Sequence, residues 1–132
     1  MLSISTEKEL QKKASIYYEV CREVERKEES YQKILNEIDF SGMTDIEQIE
    51  KEEDIRTQMD LNILKTRQNK IENKLIELHL NNFEDKIPNE IKKIKENLHR
   101  LKVRKKVLKQ VFQYLNITEQ ARELMLEAAN LK

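Results

Sequence analysis

Ile91-Lys-Lys-Ile-Lys-Glu-Asn-Leu-His-Arg-Leu-Lys-Val-Arg-Lys-Lys-Val-Leu-Lys-Gln-Val-Phe-Gln-Tyr-Leu115 is the stretch on which the fold turns. With Ile87 just ahead of it, the apolar residues Ile87, Ile91, Ile94, Leu98, Leu101, Leu108, Phe112 and Leu115 recur at alternating steps of four and three, and only Lys105 breaks the series. Such steps return to one side of an α-helix on every turn and build a narrow seam, which needs a partner helix to cover it. A single helix over about 88–115 is therefore expected, and Ile91, Ile94, Leu98, Leu101, Leu108, Phe112 and Leu115 are the expected partner-binding residues. The same helix carries a basic surface of Lys92, Lys95, Lys102, Lys106 and Lys109.

Upstream, Leu10, Tyr17, Val24, Tyr31 and Ile38 repeat every seven residues, with Ala14, Val20, Cys21, Ile34 and Leu35 beside them, so a first helix runs over about 7–38. Thr6 followed by Glu9 is a capping-box pattern that would start it. The turn comes at Asp39 to Met43, which holds the sole glycine, Gly42, and Thr44 with Glu47 repeats the capping box. A second helix then spans about 45–80, with Ile46, Ile49, Ile55, Met59, Leu64, Ile71, Leu75 and Leu78 on its stripe. Polar residues interrupt that stripe from Lys65 to Lys70, which turns Gln68 or Arg67 inward. A connection of about five residues between two long amphipathic helices folds them into an antiparallel pair over 6–80. Asn81 and Asn82 end the second helix and Pro88 suits the first turn of the third. Asn116 closes the third, and Thr118 caps a short helix over about 119–131.

Composition supports long helices and one domain over 1–132: 38% of residues are charged and 5% aromatic, with one Gly, one Pro and no Trp. The formal net charge is zero, 25 basic against 25 acidic residues, yet the charges are sorted. Seven acids oppose Lys51 and Arg56 between Asp45 and Asp60, a balance of −5; nine bases oppose Glu96 between Ile91 and Gln110, a balance of +8. A lone Cys21 precludes an intramolecular disulfide and fits a reducing, intracellular setting. No stretch approaches the roughly 20 apolar residues of a membrane span. The fold class expected is all-α, an elongated coiled-coil hairpin with a partner-binding segment over 88–132.

No enzyme signature emerges. One glycine cannot build a phosphate-binding or dinucleotide loop, and His79 and His99 lack the spacing of a zinc site, so neither metal, cofactor nor small-molecule substrate is expected. Both histidines are expected at exposed or seam-edge positions. Cys21 is expected as a buried small hydrophobe, and Glu52 with Glu53 as a solvated face. The basic run of the third helix admits two readings, a surface facing protein or solvent and a direct contact with DNA.

The segment Lys95–Asn116, with Asn97-Leu98 near its start and Val111-Phe112-Gln113 followed by Leu115 near its end, resembles the C-terminal helix of the inner-kinetochore centromere protein H family. That resemblance implies a non-catalytic structural subunit, nuclear and at centromeres, that winds around centromere protein K and helps to dock protein I. Where that family carries an aromatic residue beyond the position of Leu115, this chain has Asn116-Ile-Thr118. Two other functional classes fit the pattern: a basic nucleic-acid-binding homodimer, and a self-contained helical-bundle adaptor from a bacterium or phage.

Overall fold

The computed structural model describes residues 4–82 and 87–129, and these form six helices and no strand. They are α1 (Ile4–Glu37), α2 (Asp45–Gln58), α3 (Leu61–Asn81), α4 (Pro88–Glu96), α5 (Leu101–Tyr114) and α6 (Glu119–Ala128). The all-α class and the first hairpin hold. Thr6 lies inside α1 rather than at its start, and the last expected positions of the terminal helix, 130 and 131, fall outside the described residues.

The turn forms as its residues dictate. Gly42 takes φ 87°, a left-handed conformation that costs glycine nothing. Ser41 donates from its amide to Asp39 Oδ1 at 2.9 Å, and the Met43 amide donates to the Phe40 carbonyl at 3.1 Å. Thr44 then caps α2 by accepting from the Glu47 amide at 3.2 Å. From there the second arm runs back along α1. Ile55 and Leu61 pack with Tyr31, Leu64 with Val20 and Val24, and Leu75, Ile76 and Leu80 with Leu10 and Ala14.

The second arm is two helices, where the apolar stripe implied one. They break at Met59-Asp60, with Asp60 at φ 58°, a conformation that Asp tolerates better than most residues. The cause is tertiary. Ile55 and Leu61 are six residues apart, about 240° around a continuous helix, so only a break brings both onto Tyr31. Lys27 secures it by donating to the Met59 carbonyl at 2.8 Å.

The third expected helix, 88–115, also divides. Asn97 turns its side chain back to donate to the Lys93 carbonyl at 2.8 Å, while its amide and that of Arg100 make three-residue bonds to Ile94 and Asn97. Asn competes with the helical ladder in this way wherever packing rewards a break. Here the reward is that α4 and α5 fold onto the same end of the hairpin. Asn116 at φ 51° ends α5, Gln11 donates to the Leu115 carbonyl at 3.1 Å, and Thr118 caps α6 by accepting from the Ala121 amide at 3.1 Å.

The main core joins α1, α3, α5 and α6 with Ile91 of α4: Leu10, Tyr17, Cys21, Leu75, Leu108, Val111 and Phe112 are wholly buried. Tyr17 stacks on Phe112 with ring centroids 6.0 Å apart. The Leu108, Phe112 and Leu115 part of the expected open seam is thus closed by the chain's own helices. The molecule is still extended: its 9211 Å² of surface exceeds the about 7,400 Å² that a compact protein of 15.9 kDa exposes.

Candidate functional site

The folding of α4 and α5 onto the end of α3 leaves a groove of about 770 Å³ between the three helices, a size within the range of ordinary binding pockets. Its floor is apolar. Leu80 from the last turn of α3, Ile91 from α4 and Val107 from α5 are buried there, and Ile94 and Val103 are half-buried on its walls. The rim carries Ile87 and Tyr114, which are 43% and 41% exposed, with Glu90, Lys106, Gln110 and Gln113 between them. His79 closes one side, tilted 60° against the Tyr114 ring at 6.4 Å. Burial lowers the His79 pKa below its ordinary value, which favours the neutral imidazole.

The seven expected partner-binding residues are divided by this architecture. Leu108, Phe112 and Leu115 lie in the core, covered by α1, α3 and α6, and no second polypeptide can reach them without unfolding the bundle. Ile91 and Ile94 belong to the groove. Leu98 is half-buried in the α4–α5 break, and Leu101, 64% exposed, points to solvent. The expected seam is therefore one core and one groove. Its physical reason is legible afterwards: Val103, Val107 and Val111 run beside Leu108, Phe112 and Leu115, and six apolar residues at those spacings make a broad face of a globular helix, not a narrow seam.

The expected basic surface is present. Lys92, Lys95, Lys102, Lys106 and Lys109 are all exposed on α4 and α5, and Lys95 reaches across to donate to Asn81 Oδ1 at 3.2 Å. Of the two histidines, His99 is exposed as expected whereas His79 is buried, 6% exposed.

A polar network in the core escaped sequence reasoning. Glu72 of α3 is 1% exposed, yet both of its oxygens are engaged: Tyr17 donates to Oε2 at 3.0 Å, and Arg104 of α5 donates to and ion-pairs with Oε1. Arg104 also donates to Asn73 Oδ1 at 2.7 Å, and the Tyr17 oxygen lies 3.3 Å from the Met125 carbonyl of α6. Burial, with Cys21 and Glu72 nearby, pushes the Tyr17 phenol far above its ordinary pKa. One turn along, Gln68 donates to Cys21 Sγ at 3.3 Å, which fulfils the expectation of an inward polar residue at 67 or 68. Burial raises the Cys21 pKa to about 11, outweighing the hydrogen bonds from Gln68 and Tyr17. The thiol is thus a protonated packing group. The network fixes the register of α1, α3, α5 and α6 against one another. Its inner members, Tyr17 and Glu72, are shut off from solvent, while Arg104 reaches the surface at Asn73.

Among the described residues no group of three or more His, Cys, Asp or Glu side chains is placed to hold a metal ion, and no helix is long and apolar enough to cross a membrane. Comparison of the chain with protein-family models, curated proteins and solved structures finds no match.

Proposed function

We propose that this chain is a non-catalytic assembly subunit, a self-covered helical bundle that takes an amphipathic segment of another polypeptide into the groove between α3, α4 and α5. The observation that carries this is the groove itself. Apolar side chains line it next to half-exposed Ile87 and Tyr114, and Glu90 and Lys106 put one charge of each sign on its rim. An apolar floor provides the driving force for docking and a charged rim selects and orients the partner. The similarity of Lys95–Asn116 to the centromere protein H family supports placing such a subunit in a centromere complex with K-type and I-type partners. Since Leu108, Phe112 and Leu115 are enclosed, those partners would engage the groove, Leu98 or Leu101.

A photo-crosslinking amino acid in place of exposed Gln110 tests the proposal in the cells that make this protein. A defined adduct with a polypeptide, missing when the crosslinker replaces exposed Thr66 of α3 instead, is expected. If position 110 gives no adduct, the assembly role fails. The exposed Lys92, Lys95, Lys102 and Lys109 favour a second reading, direct duplex binding, for which log affinity must fall linearly with log salt. Absence of duplex binding at about 50 mM salt removes it.

A further inference from the structure

We infer that the groove between α3, α4 and α5 receives helix α2 of a second copy of this chain, an inference that rests on the assembly role above and names its occupant. Ile63 of α3 and Leu101 of α5 are isolated exposed apolar side chains, 67% and 64% exposed, whereas two other surfaces group theirs. On α2, Ile46 and Ile49 are 69% and 63% exposed and lie one turn apart, while the residue that α2 buries, Ile55, sits about 180° around the helix from Ile46. The apolar pair therefore faces away from the molecule's own core. Folding leaves it uncovered although α2 has a hairpin partner in α1.

Charge sorts the same two surfaces. The Asp45–Asp60 stretch that contains α2 carries −5, and the Ile91–Gln110 stretch that walls the groove carries +8. Glu50, a turn beyond Ile46, flanks the apolar pair and is exposed. The opposing charges on each side are few. Arg56 of α2 is turned inward, with its guanidinium bonded to Glu28 at 3.1 Å and 5.0 Å from the Tyr31 ring centroid. Lys51 lies about 140° around the helix from Ile46. On the groove rim the one acid is Glu90, against Lys106. The groove lining itself is neutral, so the charge match lies around it: an acidic helix with an apolar pair would meet an apolar floor whose walls, α4 and α5, carry exposed Lys92, Lys93, Lys95 and Lys102 on their outer faces.

The chain cannot satisfy this match by itself. Helix α2 lies along the Tyr31 end of α1, whereas the groove sits where α3 ends, beside Leu80, which packs with Leu10 and Ala14. The 21 residues of α3 separate them, about 31 Å at about 1.5 Å per residue. The contact joins two different surfaces, so copies either close as a reciprocal pair or propagate.

Sedimentation equilibrium of the full chain from about 1 µM to about 1 mM tests this, alongside two variants altered at exposed positions, Ile46→Glu with Ile49→Glu and Ile87→Glu with Lys106→Glu. Circular dichroism and thermal melts identify which variants keep the fold. The wild-type mass should rise with concentration, and each variant alone should associate at least tenfold more weakly. An equimolar mixture of the two should recover a one-to-one complex, because one retains the groove and the other retains α2. The inference is overturned by a wild-type chain that stays monomeric throughout, or by association that the Ile46→Glu, Ile49→Glu variant retains. A monomeric chain whose position 110 still crosslinks to a different polypeptide overturns the choice of occupant and leaves the assembly role standing; a monomer without any crosslink ends both.

Discussion

The two ends of α1 live in different environments. Its first half, from Leu10 to Cys21, is surrounded by α3, α5 and α6, and there the protein buries a carboxylate, a phenol and a thiol together. Its second half, from Tyr31 to Glu37, has α2 and the start of α3 for company, and Ile34 of that half remains 38% exposed. Four helices can enclose a volume, but two can only share a stripe. Polar chemistry at the enclosed end is therefore structural and fixed, while at the open end it stays on the surface. Glu28 shows the contrast with Glu72: partial burial opposes its charge, but hydrogen bonds from Arg56 and Lys65 prevail and hold its carboxyl below the ordinary range.

Substitutions that sharpen this comparison should rank by enclosure. Phe112→Ala removes a wholly buried ring stacked on Tyr17 and should cost about 3–5 kcal/mol in denaturant unfolding. A loss under about 1 kcal/mol would mean that the bundle is not packed as described. For the same reason, Leu108→Glu combined with Phe112→Ala should unfold the chain rather than merely release a partner.

Arg104→Met comes next, because it leaves the Glu72 carboxylate buried without its cation. A loss of roughly 3 kcal/mol is expected, with Glu72→Gln in the same background recovering part of it. If the double variant is no more stable than Arg104→Met alone, the two groups are not coupled.

His79 should make stability depend on pH. Its folded pKa lies below the unfolded value of 6.5 because burial disfavours the cation, so the unfolded chain binds the proton more readily. Its contribution is complete above about 6.5 and is lost as pH falls from there toward the folded pKa. The denaturation midpoint should drop between about pH 7.5 and 5.5, and His79→Gln should flatten that part of the curve. An unchanged slope in the variant would assign the dependence to other groups.

The smallest effect belongs to the open end. At concentrations low enough to keep the chain monomeric, Ile46→Ser or Ile49→Ser should change the unfolding free energy by no more than about 0.5 kcal/mol. A loss above about 1.5 kcal/mol would show that α2 is held through that face after all.

Local signals in the sequence were dependable where a few neighbouring residues settle the matter. Gly42, the Thr44 and Thr118 caps, Pro88 at the start of α4 and Asn116 at the end of α5 all act within one turn of chain. Gln68 was legible as an inward polar group because it interrupts an apolar stripe. The breaks at Met59-Asp60 and Asn97–Arg100 were not, since neither holds a glycine or proline, and each is made favourable by distant packing. Glu72 and Arg104 were equally hidden, for a charged residue on an amphipathic helix looks the same whether or not another helix closes over it.

The sequence by itself determined that this protein is helical, that its first two arms fold back on each other, and that acidic and basic charge lie on different segments, because periodicity, caps and composition act through near neighbours. The tertiary structure alone decided which stripe is core and which is surface. Coverage depends on how many helices meet at a point, and that number is written in no single segment. It turned Leu108, Phe112 and Leu115 from an expected interface into the interior, and left Ile46, Ile49, Ile63 and Leu101 exposed with a groove beside Ile94.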